Sequence, residues 1–117
     1  MSVERDQRWL EYIRECISLI QRDVRSDPEA FADITRASMR SIMWSLLTLS
    51  DATTKLSDEL KARHPEVPWA KVRGFRNFAA HAYEKLRLQV ISVIVQDDLP
   101  VIGDAVDTEL AALRRGR

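Results

Sequence analysis

The sequence predicts an all-α protein, an up-down bundle of four to five helices. Three observations carry that reading. Punctuation is sparse: three glycines and four prolines in 117 residues are too few for the many turns of a β fold. Apolar residues recur at steps of three and four along most of the chain, the period of a helix with one buried face. No internal repeat or low-complexity tract interrupts the pattern.

The first helix is expected over Val3 to Val24. Trp9, Tyr12, Ile13, Cys16, Ile17, Ile20 and Val24 draw one stripe, and Arg5, Arg8, Glu11, Arg14, Glu15 and Arg22 mostly occupy the other side. Cys16 lies on the stripe and reads as a small core residue, with no activating base nearby in sequence. Ser26-Asp27-Pro28-Glu29 punctuates next, with Asp27 as N-cap and Pro28 opening a short helical turn to Ala32. Asp33 or Thr35 then restarts the chain into a second long helix, expected to run to about Arg63.

That second helix carries Ile42, Met43, Leu46, Leu49, Thr53, Leu56 and Leu60 on its stripe, widened by Leu47. Trp44 sits off the stripe, either in the core or on a partner surface. Lys55, Asp58, Glu59, Lys61 and Arg63 read as a solvated face. His64 precedes Pro65 and is pushed out of the α region, where it can pair with the helix dipole when charged. Pro68 can open the next helix, with Trp69 as an anchor. Gly74, inside this helical segment, suggests a bend or a close backbone approach. From Leu86 a last helix carries Leu88, Ile91, Ile94, Val95, Leu99, Ile102, Val106, Leu110 and Leu113. Pro100 should kink it or break it in two, with Asp97 or Asp98 capping the restarted part. The basic tail Arg114-Arg115-Gly116-Arg117 is expected to fray.

The bulk composition limits function. A chain of this length is about one domain, residues 1–117, with no room for a nucleotide-binding domain plus a second lobe. Apolar residues make up 45% and charged residues 31%, a soluble globular balance. Eighteen basic residues balance eighteen acidic ones, so no global field draws in nucleic acid, and RNA binding needs a local patch or a symmetry that concentrates one. One cysteine excludes an intrachain disulfide and a multi-cysteine zinc site, and two histidines far apart argue against a metal. Neither a signal peptide nor a membrane-spanning run is visible, so a cytoplasmic location with no membrane partner is expected. No cofactor is expected.

One stretch resists explanation as a solvated face: Arg76-Asn77-Phe78-Ala79-Ala80-His81-Ala82-Tyr83. On a helix turning about 100° per residue, with Arg76 at 0°, Tyr83 falls at about −20°, Ala80 at about 40°, Asn77 at about 100° and His81 at about 140°. Four polar groups share one broad face around a small alanine, while Phe78 and Ala79 point away. A polar face with a few hydrogen bonds is the plain alternative. An arginine and a histidine nevertheless suffice for metal-independent RNA cleavage. Imidazole exchanges protons near neutrality and can take the proton of a ribose 2′-OH. Guanidinium forks onto phosphate and stabilises the charge that grows there. Asn77 can donate to phosphate or hold the imidazole. One histidine cannot easily act as base and acid on opposite sides of phosphorus, and a two-fold dimer with two motifs in one cleft supplies the second group.

Arg76-Asn77-x-x-x-His81-x-Tyr83 resembles the R-N-x-x-x-H-x-Y signature of the HepT-like toxins, a branch of the HEPN ribonuclease superfamily. His64-Pro65-Glu66-Val67-Pro68-Trp69, followed by Arg73-Gly74-Phe75-Arg76-Asn77, is similar to that family's H-P-E-I-P-W … R-G-L-R-N run. Gln96-Asp97-Asp98-Leu99-Pro100 resembles its N-D-L-P element. The likeness covers most of the chain, most strongly residues 55–101. Departures are Ala82 for the usual glycine, Ser50-Asp51-Ala52 for Gly-Glu-Ala, Trp44-Ser45-Leu46 for R-N-L, and Glu84-Lys85-Leu86-Arg87 for F-G-x-D.

The resemblance implies a HEPN-like helical bundle that forms a two-fold homodimer. It implies a toxin that cleaves RNA, such as tRNA or mRNA, without metal through Arg76 and His81, with Asn77 and Arg73 supporting the RNA phosphate. It further implies a nucleotidyltransferase antitoxin that transfers AMP to Tyr83; a bulky anion one turn and more from Arg76 would fill the cleft and neutralise it. The alternative is a non-catalytic helical dimer that holds a nucleotidyltransferase partner and uses Arg76 and His81 for structure or nucleotide contact.

Overall fold

The chain folds into helices that run back and forth, α1 Ser2–Ser26, α2 Ala37–Thr53, α3 Asp58–Arg63, α4 Trp69–His81, α5 Leu88–Val93 and α6 Leu99–Arg115. The computed structural model describes residues 2–81 and 88–116, with side chains throughout except at residues 2 and 76–81. A π-helical turn, Ile94–Asp98, joins α5 to α6 with helical backbone on both sides, so the two are continuous and the bundle counts five helices among the described residues. No strand occurs among them. A 3₁₀ turn, Ala30–Ala32, lies between α1 and α2.

Leu10, Ile13, Ile17 and Ile20 of α1, Met39, Ile42 and Leu49 of α2, Leu60 of α3, Val72 of α4, and Ile102 and Val106 of α6 are all buried; Leu10, Met39 and Val72 add to the expected stripes, while Tyr12, expected on the α1 stripe, is 42% exposed. Cys16 is buried with them, and burial raises its thiol pKa, which suits a core residue and not a nucleophile. Cross-contacts give the directions. Ser41 donates to Asp23 at 2.6 Å, Cys16 lies 3.6 Å from Thr48, and Ser57 meets Asp6, so α1 and α2 are antiparallel. Arg14 reaches Asp107 at 3.3 Å while Gly103 faces Ile17, so α6 runs antiparallel to α1.

Several expectations are corrected. The second helix stops at Thr53 and α3 restarts at Asp58. The break has no glycine or proline. Ser57 leaves the helical region (φ −67°, ψ 153°) and its Oγ accepts the Leu60 N–H, a regular N-cap. Asp6 of α1 fixes that cap by accepting from Ser57 N at 2.8 Å and Oγ at 2.6 Å. The N-cap of α2 is Arg36, with no side-chain cap; Asp33 instead accepts from Thr35 N and Oγ1. Pro100 does not end the helical backbone, but the regular α-helix is interrupted just before it by the π turn, which separates α5 from α6. Pro100 has no N–H to give, and the π turn before it absorbs the mismatch, with the Leu99 N–H bonded to the Ile94 carbonyl. Asp98, at the start of α6, makes no side-chain cap. Gly74 has nothing within 4 Å of where a Cβ would stand, so no close approach needs it; at Gly103 a Cβ would stand 3.5 Å from Arg14 Nη1, an ordinary contact. The tail is helical through Arg115.

Trp44 is 66% exposed, which removes it from the core. No helix among the described residues is long and apolar enough to cross a membrane.

Candidate functional site

Residues 64–75 build the platform that carries the Arg76–Tyr83 stretch. His64 leaves the α region at φ −127°, ψ 65°, as a residue before proline must, and closes α3. Its Nε2 lies 2.6 Å from Glu109 Oε2 of α6 and its Nδ1 3.1 Å from Glu66 Oε2. Arg63 forks onto the same Glu109 at 3.1 and 2.7 Å, so it is not a member of a plain solvated face. Burial pulls the His64 pKa down, but hydrogen bonds to Glu109 and Glu66 outweigh it and hold the imidazole above its ordinary value. The Arg63 hydrogen bond in turn holds the Glu109 carboxyl below the usual carboxylate range. These contacts clamp the end of α3 to α6, with His64 and Glu109 buried and Arg63 exposed at the rim.

Trp69 then opens α4. Its Nε1–H is shared between the Lys61 carbonyl at 3.1 Å and the His64 carbonyl at 3.0 Å, so the first residue of α4 satisfies the last carbonyls of α3. Val67, Val72 and Phe75 bury the inner side of this segment. Ser50, fully buried on α2, donates to the Val72 carbonyl at 2.6 Å. That carbonyl sits one helical turn before Arg76. On another side, Lys71 Nζ stands 2.8 Å from Asp98 Oδ2 in the π turn; this buried oxygen makes no aligned hydrogen bond, so the contact is ionic.

The α4 backbone is helical across Arg76, Asn77 and His81, the premise of the shared-face argument. The side chains of Arg76, Asn77 and His81, and residues 82–87 including Tyr83, lie outside the described residues, so their convergence does too. Arg73 is described: it is exposed and lines a cavity with Thr54, Asp58, Lys61 and Trp69. Sequence reading missed this cavity because Lys61 and Asp58 look like solvated residues of a helix; the signal available was the cap pattern Ser57-Asp58-Glu59, which places a new helix start beside α4. Among the described residues no group of three or more His, Cys, Asp or Glu gathers to hold a metal ion.

A helical bundle with an Arg–His motif on one inner helix defines a class, and the comparisons narrow it. The family model described as ribonuclease HepT-like matches residues 10–108, and the chain belongs to that family. It is 28% identical over 94 residues to the probable ribonuclease HepT of Thermococcus cleftensis, covering 79% of this chain and 84% of that one. It is 30% identical over 102 residues to a protein of Caldanaerobacter subterraneus subsp. tengcongensis named as a candidate RNase, covering 84% of this chain and 88% of that one. No solved structure matches the chain with significance.

Proposed function

We propose that this protein is the ribonuclease toxin of a toxin–antitoxin pair, a homodimer that cleaves single-stranded RNA without metal. The carrying observation is the family match across residues 10–108, which contains the whole motif from Arg76 to Tyr83. The helical α4 backbone through His81 supports the same-face geometry of the pair. The His81 imidazole removes the proton from a ribose 2′-OH. The 2′ oxygen attacks the adjacent phosphorus, and the P–O5′ bond breaks. The leaving 5′ oxygen takes a proton from the same histidine of a second copy, giving a 2′,3′-cyclic phosphate and a 5′-OH. Arg76 stabilises the extra negative charge on the phosphoryl oxygens. Asn77 and Arg73 hold the flanking phosphate. A nucleotidyltransferase antitoxin silences the enzyme by moving AMP onto Tyr83 Oη, with pyrophosphate leaving from ATP.

Labelled RNA incubated in EDTA tests the reading. Cleavage that persists in EDTA and disappears in His81→Ala is expected, and equal cleavage by that variant overturns the assignment. Intact mass after co-expression with a nucleotidyltransferase antitoxin tests Tyr83: an adduct retained in Tyr83→Phe refutes that site. Light scattering tests the dimer, and a strict monomer removes the shared-cleft mechanism.

A further inference from the structure

We infer that the cavity beside the first half of α4 is a second subsite, which seats a ribonucleotide of the substrate strand next to the cleaved linkage. The inference rests on Arg76 and His81 being the cleavage pair. A space of about 350 Å³ opens between the end of α2, α3 and the first turns of α4, at the lower end of the range of small-molecule sites.

Its lining matches the parts of a ribonucleotide. Lys61 and Arg73 supply two cations, and neither has an ion-pair partner among the described residues, unlike Arg63, which is tied to Glu109, and Lys71, which is tied to Asp98. Both are free to meet a phosphate. The indole of Trp69 is held rigid by its two hydrogen bonds and is only partly buried, a fixed apolar wall against which a base can stack. Thr54 already donates its hydroxyl hydrogen to the Asp51 carbonyl at 2.6 Å, so toward the cavity its oxygen can only accept, as it would from a ribose 2′-OH. Asp58 adds a second acceptor and disfavours a second phosphate on its side.

Register joins this space to the motif. At about 100° per residue from position 76 at 0°, Trp69, Arg73 and Ala70 stand at about 20°, 60° and 120°. Positions 76, 80, 77 and 81 occupy about 0°, 40°, 100° and 140° of the same helix. Arg73 and position 76 are three residues apart, about 4.5 Å along the axis, comparable with one step of a nucleic-acid backbone. The buried residues Val72 and Phe75 stand at about −40° and −100°, to the other side of position 76 from Arg73 and Ala70. A strand gripped at the motif therefore continues along α4 toward Trp69.

The test measures binding of a fluorescein-labelled RNA of about a dozen nucleotides to His81→Ala protein over a range of salt. Lys61→Ala, with Lys61→Gln as a second variant that keeps the length of the stem, is expected to weaken binding about three- to tenfold and flatten the log–log salt slope by about 0.7, the signature of one lost phosphate contact on a single strand. Arg40→Ala removes an exposed cation at the other end of α2 and is expected to change neither quantity as much. Thr54→Val is expected to narrow the preference for RNA over the all-deoxy strand. Unchanged affinity and slope in both Lys61 variants overturns the subsite, as does an equal loss in Arg40→Ala. Cleavage of the strand by the His81→Ala protein overturns the catalytic assignment instead, and absence of RNA binding by the unsubstituted chain overturns both.

Discussion

The hydroxyl of Ser50 donates to the carbonyl of Val72 at 2.6 Å, across the packed surface of α2 and α4. In a regular helix that carbonyl also accepts the N–H of residue 76. A second donor from α2 thus fixes the height of α4 at the turn from which Arg76 projects. Ser50→Ala is expected to cost about 1 kcal/mol of stability by urea unfolding, since only one side of a shared hydrogen bond is lost. In the cleavage assay it should lower kcat several-fold with little change in KM. An unchanged kcat would show that α4 keeps its height without the bond.

The His64–Glu109–Arg63 cluster predicts a stability optimum bounded on both sides. His64 has a raised pKa in the fold, so its contribution is full below the unfolded value of about 6.5 and is lost as pH rises through the raised value. Glu109 has a lowered pKa, so its contribution is full above the unfolded value of about 4.3 and is lost as pH falls through the depressed value. Urea midpoints should therefore be highest between those limits and decline on either side. Glu109→Gln should weaken the alkaline decline, with Glu66 still paired to His64, and cost about 1–3 kcal/mol, the cost of leaving partly buried cations without a charged partner. A midpoint independent of pH above neutrality would refute the clamp.

Glycine replacements separate two positions that look alike in the sequence. Gly74 has helical backbone and open space at its Cβ position, so Gly74→Ala should raise stability by about 0.5–1 kcal/mol. Gly103 sits at the α1–α6 contact, with Arg14 Nη1 at 3.5 Å and Ile17 Cδ1 at 3.8 Å from the Cβ position. Alanine fits there at ordinary contact distance, whereas Gly103→Leu should destabilise by about 1–3 kcal/mol through overpacking. Thermal unfolding of the three variants checks the order.

The helix break at residues 54–57 predicts a dependence on α1. Ser57→Ala removes the Leu60 cap and one of the two bonds to Asp6, and is expected to cost about 1–2 kcal/mol. Asp6→Ala should cost a similar amount although it lies on another helix. Their combined effect should fall short of the sum, because both act through one contact. Strict additivity in a double-mutant cycle would refute the coupling.

Much of this fold was legible in the chain because helical burial has a short period. The stripes of α1, α2 and α6 follow from residues three and four apart: Ile13, Cys16, Ile17 and Ile20, then Ile42, Leu46 and Leu49, then Leu99, Ile102 and Val106 are buried as that spacing demands, whereas Tyr12 on the α1 stripe stays exposed. The Arg76–Tyr83 pattern likewise stood out by local spacing. What the sequence left open depends on partners far along the chain. The break before α3 has no breaker residue and is fixed by Asp6, fifty-one positions away from Ser57. The place of His64 is decided by Glu109, forty-five positions on. Lys61 becomes a cavity residue only because α3 is displaced from α2 and set beside α4.

By itself, then, the sequence determined the all-helical class, the buried faces and the motif, since each is written in the angular period of one helix. The tertiary structure alone decided where a helix ends without glycine or proline, which charged residues are spoken for, and which remain facing open space, because hydrogen bonds and ion pairs between helices are set by packing and not by spacing along the chain.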